Sequence, residues 1–214
     1  MRSLLLIIFS AIAINTYAQD GDYPDYRSKK EIFTRIQEKD IRSDIASFSM
    51  GGIEESVGKD PLNTVPIAAY GKDFLTFEDN SITVTIQTAS FNPAKHKLTY
   101  YDQEKKEYLL KIDNHPYFGD YGKVPLTNVE KVTIIMGRDT IIIPAAACID
   151  LCNPILTFTE GGKTRSQNKV LLSADGHKVY VYMLKTEEGG SYEATWVIQD
   201  RKYIKRVVDF GFLK

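Results

Sequence analysis

Between residues 170 and 210 the chain repeats one pattern four times: a run of strand-forming side chains, then a cluster of turn residues. The runs cover residues 170–173, 178–185, 192–199 and 203–210, and their links are too short for anything but antiparallel neighbours. A four-stranded antiparallel meander follows. Asp175-Gly176 has the type I′ preference for positive φ at both central positions, and 187–190 and 200–202 close the next two hairpins. Side chains alternate across a strand, so Val179, Val181 and Met183 share one face and Tyr180 and Tyr182 the other. The valine face is the expected core. The tyrosine row then lies either beneath a helix or in solvent, where it would serve as an interface. Tyr192, Ala194, Trp196 and Ile198 form one face of the next strand, with Trp196 as a core anchor.

Upstream, residues 74–78 and 82–88 read as a strand pair, the second alternating Ile82, Val84 and Ile86 with polar residues. Runs 97–101 and 107–112 flank a charged hairpin tip. The isoleucine-rich runs 129–136 and 140–143 flank Gly137, Arg138 and Asp139 and predict strands covered on both faces in a sheet interior. Gly51, Gly52, Gly58, Pro61, Pro66 and Gly71 make residues 50–72 a connector with room for one short strand. Before it, Ser28 and Glu31 have capping-box spacing, which starts a helix at Lys29 that ends near Arg42, with Ile32, Phe33 and Ile36 on one face. The total of about ten strands and one helix predicts a mainly β fold, an antiparallel sandwich or a partly closed barrel. No fixed-period repeat suggests a solenoid or propeller.

Residues 1–19 read as an export signal: Arg2 is the basic start, 4–14 an apolar run, and Thr16 and Ala18 the small residues before a cut. Residues 20–214 would then form a single secreted domain in the periplasm or beyond, large enough for one core. The apolar run is shorter than the ~20 residues that span a bilayer, and no later segment is apolar enough to replace it. The first cysteine is Cys148, so no lipid attachment follows the signal. None of the asparagines begins an Asn-x-Ser/Thr sequon, which fits a bacterial envelope. Without Arg2, the 27 basic residues fall one further below the 28 acidic ones, a balance that does not draw nucleic acid or anionic lipid. The basic cluster Arg201, Lys202, Lys205 and Arg206 is expected to guard an edge strand.

Pro144 followed by three alanines and closed by Pro154 predicts a short helical turn carrying Cys148 and Cys152 at i and i+4. That spacing puts their Cα atoms ~6 Å apart, within disulfide reach, and an oxidising compartment would close the bond. The pair has one residue too many for a redox Cys-x-x-Cys, and His96, His115 and His177 are too scattered for a metal site. No cofactor motif is present.

The sixteen-residue connection 113–128 is the most suggestive segment for function, because long irregular loops are uncommon unless they bind something or are disordered; the alternative is a loop tied down by its own aromatic residues. It holds His115, Tyr117, Phe118, Asp120 and Tyr121 as binding residues. Asp113, His115 and Asp120 could also form the acid-base cluster of a periplasmic hydrolase, but no nucleophile with a recognisable local signature accompanies them. Asp209-Phe210-Gly211 lacks every other part of a kinase site. The leading expectation is a non-catalytic envelope protein that binds another exported protein or an envelope polymer through these loops or the tyrosine face, an immunity or inhibitor protein being one form of it. A hydrolase and a structural envelope component are the alternatives.

Overall fold

The computed structural model describes residues 33–52, 62–187 and 189–210. The export signal and the Ser28–Glu31 capping box expected from the sequence lie outside them.

After a 3-10 turn at Phe33–Arg35 comes α1 (Lys39–Ala46), then β1 (Asn63–Val65), β2 (Ile67–Tyr70), β3 (Phe74–Glu78) and β4 (Ile82–Ser90). The middle of the chain supplies β5 (Leu98–Asp102), β6 (Glu107–Ile112), β7 (Thr127–Met136) and β8 (Asp139–Ile142). The last strands are β9 (Phe158–Glu160), β10 (Lys163–Arg165), β11 (Lys169–Leu172), β12 (Lys178–Lys185), β13 (Tyr192–Gln199) and β14 (Lys202–Phe210). They form two five-stranded antiparallel sheets, ordered β1-β11-β12-β13-β14 and β2-β3-β4-β7-β8, with β5-β6 and β9-β10 as separate hairpins. The expected meander is β11 to β14. Neither sheet closes on itself, so the architecture is a sandwich rather than a barrel.

The principal core lies between the sheets. It joins Leu75, Phe77, Val84, Ile86, Val132 and Ile134 from one to Val179, Val181, Met183, Ala194, Trp196 and Ile198 from the other. Trp196 is fully buried, and its indole N–H donates to the Ala147 carbonyl at 2.7 Å, so the polar atom of this large anchor is satisfied.

Tyr180 and Tyr182 are also buried, which removes them as an exposed interface. Phe33, Ile36, Ile41 and Ile45 cover them to make a third layer, helix on sheet on sheet. Their hydroxyls stay paired, Tyr180 donating to Asp44 and Tyr182 to the buried Glu193 at 2.7 Å. Strands β12 and β13 are therefore the ones covered on both faces. The isoleucine-rich runs do not have that role: β8 is an edge strand, and Ile135 and Ile142 reach solvent because α1 lies over the other sheet.

Three local expectations change. The single helix from Lys29 is broken, since residues 36–38 are not helical and Glu38 caps a separate α1. Gly176 has positive φ (71°) but Asp175 does not. Its carboxylate accepts from the Ser173 hydroxyl and the His177 N–H, which holds it in a wider turn. Within the meander, the two-residue turn with positive φ at both positions is instead Asp200-Arg201 (49° and 61°). Finally, the cysteine segment is helical only over Ala145–Ala147. Cys148 then enters the intersheet core, while Cys152 pairs with Asn128 as an isolated β-bridge and packs with Leu109 and Tyr117. Both thiols are free and outside disulfide distance, so the expected staple is absent.

Candidate functional site

The connection 113–128 begins with a tight reversal. Asp113 and Asn114 both take positive φ (51° and 65°), and Ile112 and His115 exchange backbone hydrogen bonds at 3.0 and 2.9 Å. Asp113 tolerates this conformation because its carboxylate is used locally: Oδ1 accepts the Lys97 N–H at 2.8 Å and Oδ2 faces His96 Nδ1 at 2.6 Å. The His96 bond, then the Lys97 N–H, holds the Asp113 carboxyl below the usual carboxylate range.

Further along, the loop is fastened to the protein at every turn. Phe118 joins Leu151 in a parallel bridge, donating to the Asp150 carbonyl at 2.8 Å and accepting from the Cys152 N–H at 2.7 Å. The buried Tyr117 hydroxyl lies 3.2–3.3 Å from the carbonyls of Leu109, Asp120 and Lys123. Burial pushes that phenol well above its ordinary pKa. Asp120 accepts from the fully buried Lys185 ammonium at 3.0 Å and from the Asn153 amide at 2.6 Å. Gly119 and Gly190 touch backbone to backbone: a Cβ at Gly190 would stand 1.7 Å from the Gly119 carbonyl oxygen. The Tyr121 N–H donates to the Gly189 carbonyl at 2.6 Å.

Outside the start of this loop lies a cleft of about 410 Å³. Ile112, Asp113, His115, Pro116, Tyr117 and Phe118 make one wall. Phe91 and His96 make another, their rings stacked at a centroid distance of 4.6 Å and 14° between planes. Asn128, Ala146, Ile149, Asp150 and Arg206 complete it. Arg206 is inside the protein at 6% side-chain exposure, forks onto both Asp150 oxygens, and sets its guanidinium carbon 5.9 Å from the Phe118 ring centroid.

Of the residues singled out in the sequence, His115, Tyr117 and Phe118 therefore converge on one cleft, with Asp113. Asp120 does not line it; its carboxylate is committed to Lys185 and Asn153, so Asp113, His115 and Asp120 do not form one acid-base cluster there. Tyr121 and the buried pair Tyr180 and Tyr182 are also away from the cleft. Burial raises the Cys148 thiol to about 12 and the Cys152 thiol higher still, which makes both poor nucleophiles. No group of three or more His, Cys, Asp or Glu side chains among the described residues is arranged to hold a metal. No helix among them is long and apolar enough to cross a membrane.

Sequence reasoning missed Asp150, counted His96 only among scattered histidines, and gave Arg206 an edge-guarding role that its burial against Asp150 overturns. Arg206 carried a readable signal, since it sits at the parity of the core residue Val208, and an arginine facing inward needs a partner. His96 carried none, being seventeen residues from Asp113 and joined to it only by the fold. No protein-family model, curated protein or solved structure matches the chain, and the geometry of this cleft is what bears on function.

Proposed function

We propose that the mature chain acts outside the cytoplasm, in the periplasm or beyond, as a non-catalytic binding protein that captures an exported protein or an envelope polymer at this cleft. An immunity or inhibitor protein is one form of the same activity. The observation that carries the reading is a mostly apolar concavity bordered by a loop that is fixed in place before any partner arrives. His96, Asp113, His115, Asn128, Asp150 and Arg206 bring polar groups to its lining, which gives recognition its specificity. The test is a photo-crosslinker at Ile149, a cleft residue 53% exposed, in cells of the native host. One discrete adduct is expected, and it should vanish when Ala146→Trp fills the cleft. An adduct that persists in A146W, or an accumulated protein that still carries residues 1–19, counts against the proposal.

One observation favours a second reading, a hydrolase. The His96–Asp113 pair on the cleft wall resembles the base and its orienting carboxylate in nucleophilic catalysis. Among the described residues no serine, threonine or cysteine lines the cleft, and in this reading a water is the nucleophile. Hydrolysis of any ester, peptide or glycoside that H96A abolishes would establish this reading in place of the first.

A further inference from the structure

We infer that the cleft is a socket for the tryptophan or tyrosine side chain of a partner polypeptide, with the ring lying among Phe91, His96 and Phe118 and its N–H or O–H donating to His96 Nε2. The inference rests on the cleft being the binding site and adds what the site selects.

The donor requirement comes from Asp113. An ionised carboxylate has lone pairs only, so the proton in its 2.6 Å contact with His96 sits on Nδ1. A neutral imidazole protonated at Nδ1 has a bare lone pair at Nε2. That nitrogen has no hydrogen-bond partner among the described residues, although its ring lines the cleft. Asn128 adds a second acceptor, since its amide nitrogen is used on the Val129 carbonyl at 3.2 Å and its Oδ1 has no partner among the described residues. A ligand that buries these acceptors without supplying a donor loses their hydration and gains nothing in return.

The preference against an anionic ligand follows from the cleft's own charges. Arg206 is matched by Asp150, and with His96 neutral the Asp113 carboxylate keeps its negative charge, so an anion would leave water without a counter-charge waiting for it. The stacked Phe91–His96 pair suits a flat body, and Phe118, also in the lining, is 3% exposed and presents little surface of its own. A volume near 410 Å³ is at the small end of the ~300–1,000 Å³ range of ligand sites, enough for one ring system and its backbone rather than a long chain.

The experiment is an amide NMR titration of the intact mature protein with three probes: N-acetyl-tryptophanamide, its indole-N-methyl analogue, and a capped pentapeptide with tryptophan at the centre. We expect all three to shift residues 91, 96 and 118, with the methyl analogue about fivefold weaker, the worth of one hydrogen bond. The pentapeptide should bind tighter than the single amino acid. His96→Phe keeps a ring on Phe91 and removes the acceptor, so it should erase the fivefold preference while ring binding survives. Equal binding of the methyl analogue to the wild-type protein overturns the donor assignment and leaves the cleft reading intact. A single amino acid that binds as well as the peptide overturns the polypeptide source. If no probe shifts these residues at millimolar concentration, this inference falls, while the cleft reading stands or falls on the Ile149 crosslink.

Discussion

Replacing Arg206 with methionine removes the cation that joins β14 to the segment after the Ala145–Ala147 turn. The pair is bidentate, and its side chains are 6% and 20% exposed. Methionine fills much of the same space, so the change isolates charge from volume. Breaking a buried pair from one side costs about 3–5 kcal/mol, because the surviving charge is stranded. Asp150 retains a fifth of its surface in water and can be partly rehydrated, which favours the low end, about 3 kcal/mol. For a chain of this length that is a fall in Tm of roughly 6–12 °C. Trp196 is the sole tryptophan, lies fully buried, and bonds Ala147 three residues from Asp150, so urea unfolding followed by its fluorescence reads the affected region directly. The double variant R206M/D150L should recover most of the loss, with a coupling of about 2 kcal/mol or more that persists in concentrated salt. A single-variant cost below about 1 kcal/mol, or a coupling abolished by salt, would mean that the pair behaves as a surface contact and the argument is wrong.

Glu193 is pushed above the usual carboxyl range by burial, despite accepting from Tyr182, Gly51 and Met50. Because its folded pKa exceeds the unfolded value, the folded state holds the proton more tightly, and the cost of the ionised form is relieved as pH falls through the folded value toward about 4.5. Wild-type stability minus that of Glu193→Gln should therefore rise between pH 7 and pH 5 in paired denaturation curves; a flat or falling difference contradicts the burial argument. Gly190→Ala forces a Cβ into the Gly119 carbonyl at a φ of 156°, and should cost about 3 kcal/mol or prevent accumulation of folded protein, measured by yield and urea midpoint. Both cysteines should resist iodoacetamide in the native state for hours and label fully in denaturant without reductant, as intact-mass spectrometry would show; one labelled thiol or none after unfolding would contradict the free-thiol assignment.

The meander was legible because the period-two alternation of 178–185 and 192–199 is long, and the links between its strands leave one topology. What alternation does not encode is which sheet the helix covers. Val179 and Tyr180 both lie under apolar layers, whereas Ile134 is buried and its neighbour Ile135 is wet, yet all four carry strong strand signals. The Pro144 segment misled because three alanines favour a helix locally, while Leu151 and Cys152 are claimed by bridges to Phe118 and Asn128 that only the tertiary structure supplies. The loop 113–128 could be singled out by its length and aromatics. That Asp120 would turn to Lys185 and Asp113 to His96 could not, since those partners are distant in sequence.

The backbone contact between Gly119 and Gly190 ties the loop 113–128 to the turn between β12 and β13, two strands buried on both faces. The loop's conformational freedom is thus given up during folding. On the proposed function, an arriving side chain would meet a wall already in its final shape, so association should proceed in one kinetic step whose rate grows linearly with ligand concentration, without the plateau that a slow ordering event would impose.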